Sequence, residues 1–327
     1  MEIFKQVRVF DFVKYSNYGL WVSLILLAGA VFLFIKPGFT LGIDFAGGSS
    51  AQLRYEGKAP IEQVRALLEA EPAFKGVQVS EFDSVEELLV KIPNNAELEG
   101  RNLAPMLESI LAPSGEFEIR KMDSVGAKVG EELKEKGIVS LLLAFIAMMV
   151  YVSFRYEWRF ALAGILALIH DVIITAASIV VFAIDLNLEV IAALLTLIGY
   201  SINDTIIIFD RIREKMLNDK TNDITLVINE AISHTLSRTL LTSLTVFFVV
   251  LTLYVFGGSI IVGFSLPMLV GVIVGTCSSM FLAPKLAILL GFNIEKYHAK
   301  ELEKQRRAKE RAKIRQQYEG GRVKSRF

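Results

Sequence analysis

The run TLLTSLTVFFVVLTLYVFGGSIIVGFSLPMLVGVIVGTCSSMFLAP, Thr239 to Pro284, holds no Lys, Arg, Asp or Glu in 46 residues. At about 1.5 Å per helical residue it is long enough to cross a hydrocarbon core of about 30 Å twice. The Gly257-Gly258-Ser259 turn divides it into spans near Thr239 to Phe256 and Ile261 to Leu290. Working outward, Tyr15 to Ile35 and Gly137 to Phe154 are also free of charge, while Phe160 to Ile184 and Leu188 to Phe209 are apolar apart from a few ionisable residues. Six spans follow. The whole chain of 327 residues is 53% apolar with a mean hydropathy of +0.48, and 35 basic residues balance 35 acidic ones. That excludes a soluble enzyme, and the zero net charge gives no ground for a nucleic-acid binder.

Lys5, Arg8 and Lys14 precede the first span, and Ala28-Gly29-Ala30 resembles a signal-peptide cleavage site. The uncharged stretch is nevertheless 21 residues long, and the small residues lie inside it. A signal core has roughly 7 to 15 residues, so the segment is expected to be an uncleaved anchor.

Lys and Arg in short loops mark the cytoplasmic side. Arg155 and Arg159 separate spans two and three; Arg211, Arg213, Lys215 and Lys220 separate four and five; Lys285 and a basic tail follow six. The alternate loops, Asp185 to Asn187 and Gly257 to Ser259, hold no basic residue. Both termini are therefore expected in the cytoplasm, and residues 37–136 on the periplasmic or extracytoplasmic side. The chain divides into an N-terminus with the first span (1–36), an outer domain (37–136), spans two to six (137–290) and a basic tail (291–327). Charge divides with it: the outer domain holds 11 basic and 18 acidic residues, the tail after Gly291 12 and 5.

The outer domain is long enough to fold by itself. Ser49 to Tyr55, Val77 to Phe82, Leu88 to Ile92 and Glu116 to Met122 read as strands, and Ala59 to Glu71 and Asn102 to Leu111 as helices. The order βαββαβ predicts a ferredoxin-like α+β domain with both helices on one face of a four-stranded sheet. It has no His or Cys, and its carboxylates read as a solvated acidic surface. The tail run from Ile294 to Gln317 favours a solvated helix, with anionic lipid or an acidic partner such as a ribosome as the functional alternative.

Ionisable residues inside the spans cost roughly 2.5 to 3.5 kcal/mol each at the bilayer centre, so they usually pair or line an ion path. His170 and Asp171 fall within span three, Asp204 within span four, and Arg238 opens span five. Thr196, Tyr200 and Asp204 recur every four residues with Asn203 beside them, and Arg238, Thr242 and Thr245 share a face of span five. An Asp204–Arg238 pair that breaks on protonation would couple proton uptake to helix movement; a static bridge is the plainer alternative. For Asp171, His170 is a local partner, and Thr175 and Ser178 continue its polar face. Asp210, Arg211, Arg213 and Glu214 read as an orientation-setting cluster at the inner border. No G-x-x-x-x-G-K-[S/T] phosphate loop occurs, His170, His234 and His298 are isolated, and Cys277 is the only cysteine. Nothing points to a metal, a cofactor, a disulfide within the chain or an enzyme.

Five segments carry a family resemblance: GIDFAGG (Gly42 to Gly48), SVGAKVGEEL (Ser124 to Leu133), FRYEWRFALAGILALIHD (Phe154 to Asp171), IGYSINDTIIIFDRIRE (Ile198 to Glu214) and SRTLLTSLTV (Ser237 to Val246). They resemble the SecF family, smaller membrane subunits of the bacterial SecD/SecF protein-export complex, over nearly the whole chain. Ala46 and Ala127 stand where that family usually has Thr and Pro. The resemblance implies a non-enzymatic half of a twelve-span transporter of the RND type, in the cytoplasmic (inner) membrane, with SecD as the other half. Proton flow would drive the outer domains during late steps of polypeptide export through SecYEG, with YajC and YidC as further partners and membrane lipid around the spans. By their places in NDT and SRT, Asp204 and Arg238 would carry protons, with Asp171 and Asn203 as further candidates. Gly42, Asp44, Gly47 and Gly48 would form a hinge or packing motif, where a simple turn is the alternative. A small-molecule or lipid exporter of the RND group stays open as a rival, as do a structural scaffold and Na⁺ in place of H⁺.

Overall fold

A computed structural model describes residues 9–311 apart from 96, 99, 219, 220, 222, 259, 260, 293, 295, 296, 298–302, 304, 305 and 308. Expectations on Lys5, Arg8, Lys220, Ser259, His298 and most of the 294–317 helix fall outside the described residues. Among the described residues, six helical segments are long and apolar enough to cross a membrane. They begin with α1 (Phe12–Ile35). The short α2 (Ile43–Ala46) and the outer domain follow. Next come α5 (Ala127–Arg155), α6 (Trp158–Val181), α7 (Leu188–Asn218) and α8 (Ile224–Phe256). The last span is α9 (Val262–Cys277), a π-helical turn (Ser278–Leu282) and α10 (Ala283–Leu289). The third, fourth and sixth spans are mostly buried; α1, α5 and α8 leave most of their apolar surface outward.

Three helices run well beyond the charge-free stretches. α5 starts ten residues before Gly137, α7 continues nine past Phe209, and α8 begins fifteen before Thr239. Charged residues mark where these helices leave the apolar layer, not where they end. The Asp223 carboxylate caps α8, accepting from Thr225 N at 2.9 Å and Leu226 N at 3.3 Å. The added length of α8 holds the start of α1: Asn229 Oδ1 accepts from Val13 N at 2.9 Å, and Ser233 Oγ accepts from Phe10 N at 3.0 Å. The end of the bundle away from the sheet domain is tied by Arg155–Asp210 at 2.8 Å and Lys215–Glu230 at 2.9 Å.

The outer domain has strands β1 (Gly48–Tyr55), β2 (Gln78–Phe82), β3 (Ser84–Pro93) and β4 (Phe117–Val125), with helices α3 (Ile61–Glu69) and α4 (Ala104–Leu111). The sheet order β2-β3-β1-β4, antiparallel throughout, is the ferredoxin-like arrangement expected from the element order. Strand alternation explains its core. Ala51, Leu53 and Tyr55 of β1 and Leu88, Val90 and Ile92 of β3 point one way, onto Val64 and Leu68 of α3 and Leu107 and Leu111 of α4. The opposite face of the sheet looks onto the outer end of the bundle across a cavity of about 430 Å³ that Gln52, Lys91, Asp44 and Asp185 help to line.

Candidate functional site

The polar interior of the bundle is built from Ser and Thr as much as from the two carboxylates. Asp171, fully buried on α6, is completely partnered. Its Oδ1 meets His170 Nδ1 at 2.9 Å, and its Oδ2 accepts from Ser201 Oγ on α7 at 2.5 Å and from Ser278 Oγ at the π turn at 2.7 Å. Gly275, one turn before the π turn, lets α9 approach this cluster: a Cβ there would stand 3.2 Å from Ser201 and 3.6 Å from Asp171. Small residues bringing backbones close and hydroxyls bonding across helices are what hold spans together without a hydrophobic drive.

Asp204 on α7 is equally deep, at 2% exposure, and differently served. Its Oδ2 accepts one long bond, from Ser243 Oγ of α8 at 3.3 Å, and its Oδ1 has no hydrogen-bond partner. Ser243 Oγ in turn lies 2.8 Å from Thr276 Oγ1 of α9. The two carboxylates thus sit in two hydroxyl clusters, Asp171 with Ser201 and Ser278 and Asp204 with Ser243 and Thr276. Thr239 Oγ1 is buried in the bundle without a partner of its own, and the Tyr200 phenol stands beside Ser243 and Thr276.

The Arg238 charge acts on Asp204, but the expected direct Asp204–Arg238 ion pair does not form among the described residues. Helix geometry gives the reason. Ser243 faces Asp204, and Arg238 lies five residues earlier, about 140° around α8. Buried Thr239 and Ser243, four apart, share the inward face, while Arg238 is exposed on the outer surface of the bundle. Asn203 is likewise exposed, next to buried Asp204. The four-residue stripe on α7 also turns: over eight residues it drifts about 80°, from exposed Thr196 through half-buried Tyr200 to buried Asp204.

The glycine motif sits at the other end of the molecule. Asp44 Oδ2 accepts from Leu188 N at 3.0 Å and so caps the start of α7, beside Asn187 Oδ1, which accepts from Val190 N at 3.0 Å. Gly42 N donates to Leu186 O at 2.9 Å, stitching the motif to the α6–α7 loop. Gly47 and Gly48 have φ of +72° and +128°, and both also meet backbone. A Cβ on Gly47 would lie 2.9 Å from Ala127 Cα, and one on Gly48 would collide with Ile92 O. The Lys91 ammonium pairs with Asp185, tying β3 to the same loop.

Sequence reasoning missed Ser201, Ser243, Thr276 and Ser278. The pattern T-C-S-S at 276–279 in an apolar span was the available signal, since three hydroxyls there need acceptors. Among the described residues no group of three His, Cys, Asp or Glu side chains is placed to hold a metal ion.

Comparison with known proteins agrees over nearly the whole chain. Residues 106–293 match the family model described as "Protein export membrane protein SecD/SecF, C-terminal", and residues 32–59 match "SecD/SecF GG Motif". The Helicobacter pylori J99 protein translocase subunit SecF is 65% identical across 99% of this chain and 100% of its own length. Its Escherichia coli O157:H7 counterpart is 35% identical across 91% and 93%. The crystal structure of SecDF from Thermus thermophilus, described as a translocon-associated membrane protein, superposes with a TM-score of 0.79 at 34% identity. It covers 88% of this chain, which spans only 39% of the SecDF chain. These relatives are transport subunits and not enzymes, and the chain belongs to the SecF family of multi-pass protein translocase subunits.

Proposed function

We propose that the chain works as one six-span half of a proton-driven accessory to protein export, with a SecD-like subunit as the other half. It uses the proton motive force at late steps of polypeptide passage through the Sec channel. The observation that carries this reading is Asp204: a carboxylate buried in the bundle with one oxygen lacking any donor and the other held by a single long bond. Buried structural carboxylates are normally fully bonded, as Asp171 is here, and an under-bonded one inside a span has the character of a site that exchanges a proton. Moving one charge across 100 mV supplies about 2.3 kcal/mol, so a few protons suffice to drive a rearrangement of an outer domain.

The exposure of Asn203 and Arg238 supports the need for a second half. A guanidinium facing lipid at the start of a span is costly, and a partner bundle covering this surface removes that cost. The glycine motif, which joins outer domain, α5 and the α6–α7 loop, is suited to pass movement of the spans to the sheet. The loops at Asp185 and Gly258, both free of basic residues, lie at the end of the bundle that carries the outer domain, which supports cytoplasmic termini and an extracytoplasmic domain.

The test is export of a secreted precursor in cells carrying Asp204→Asn or Arg238→Met at matched expression, with and without a membrane potential. Loss of the potential-dependent part in both variants is expected. Wild-type export by both would overturn the reading.

A further inference from the structure

The geometry points to Ser243 and Thr276 as positioning residues of a reversible hydroxyl chain that links the protonation of Asp204 to the backbone of the last span. The inference rests on the reading of Asp204 as the proton-exchanging group. It starts from a count of hydrogens. Thr276 Oγ1 lies 2.8 Å from Ser243 Oγ and 2.7 Å from Val272 O, both acceptors in good range. A hydroxyl has one hydrogen, so only one of the two bonds is made at a time.

The two choices correspond to two states of Asp204. With the carboxylate ionised, Ser243 donates to Asp204 Oδ2, which leaves Ser243 Oγ free to accept from Thr276. With Asp204 protonated, its own O–H donates to Ser243 Oγ. Ser243 then donates to Thr276 Oγ1, and Thr276 turns its hydrogen to Val272 O. No covalent O–H bond of Ser243 or Thr276 breaks, and the one added proton stays on Asp204. Every donor in the chain is satisfied in both states. That matters because Ser243 and Thr276 are both buried, and a stranded hydroxyl has no water to turn to.

The end of the chain is placed where a span can respond. Thr276 stands two residues before Ser278, where the last span changes from α to π winding. Single π turns are a frequent mark of functional segments in helices. Ser278 Oγ lies 2.7 Å from Asp171 Oδ2 and 3.1 Å from Gly275 O, and neither acceptor belongs to the Asp204 chain. One flank of the junction is thus anchored, and the other follows the proton.

The test uses the full complex with its SecD-like partner and the channel in inverted membrane vesicles, reading the gradient-stimulated part of precursor translocation. Thr276→Val and Ser243→Ala keep the shape and remove the hydroxyl, and each is expected to lower that part about tenfold, while Thr276→Ser restores it to within about twofold of wild type. Infrared difference spectra on a pH step supply a second readout. The carboxylic C=O band that Asp204→Asn removes is expected to shift in Thr276→Val and to stay in place in Thr276→Ser. Asp204→Asn serves as the separator. If it retains the gradient-stimulated part, the reading of Asp204 fails. If it loses that part while Thr276→Val matches wild type, or while Thr276→Ser is as impaired as Thr276→Val, the hydroxyl chain alone is overturned.

Discussion

Ser201 Oγ donates to Asp171 Oδ2 at 2.5 Å, and this bond joins the third and fourth spans inside the bundle. With Ser278 and His170 it completes the shell of a buried carboxylate, whereas Asp204, three residues beyond Ser201 on the same helix, has only one long bond. The contrast separates a carboxylate that holds the bundle from one that works in it.

Asp171→Ala should therefore destabilise the protein far more than Asp204→Ala. Removing Asp171 takes the acceptor from Ser201 and a partner from His170 and Ser278, and is expected to cost about 3 kcal/mol or more, against about 1 kcal/mol or less for Asp204. Ser201→Ala alone should cost about 0.6 kcal/mol, the average for a hydroxyl bond between spans. Unfolding of the detergent-solubilised protein checks the order; equal losses from the two aspartates would contradict the assignment.

A double-mutant cycle between Asp204 and Arg238 should show a coupling of about 1 kcal/mol or less in the isolated chain, because exposed Arg238 acts on Asp204 through its charge and not through a direct pair. A coupling of about 2 kcal/mol would mean that the two side chains pair directly in this chain.

Gly48→Ala should disrupt the seat of the outer domain. The added methyl collides with Ile92 O at a φ of +128°, so a loss of about 1 to 3 kcal/mol is expected, with Gly47→Ala close behind. Gly57, whose Cβ would meet nothing within 4 Å, is the control and should tolerate alanine. Limited proteolysis of the outer domain reads the difference.

Lys91→Asp and Asp185→Lys should each loosen β3 from the α6–α7 loop, and the two together should restore the pairing with reversed sign. Amide exchange of residues 84–93 is the measure. The pair is partly buried, so about 1 kcal/mol is at stake.

The spans were legible because a bilayer demands long apolar stretches, and six are written plainly in the chain, the third and fourth interrupted by only a few ionisable residues. Helix ends were not, since α7 and α8 continue past the apolar layer on charged, amphipathic residues that read as a loop. Element order alone was enough for the ferredoxin-like topology, but the irregular register at Gln52/Leu53 depends on tertiary contacts. Asp204 and Asp171 stood out as charges in apolar runs. Their hydroxyl partners did not, because Ser201, Ser243, Thr276 and Ser278 come from three different segments and ordinary-looking positions. Asp204 and Arg238 form no direct pair because Arg238 lies about 140° around α8 from Ser243, an angle that spacing along two separate helices does not reveal.

Proton influx into vesicles holding the complex of this chain with its SecD-like partner, followed with a trapped pH indicator under an imposed membrane potential, tests the central claim most directly. Wild type is expected to acidify the lumen, and Asp204→Asn to reduce influx to the level of empty vesicles with the complex still intact. Influx at the wild-type rate through an intact Asp204→Asn complex would contradict the account.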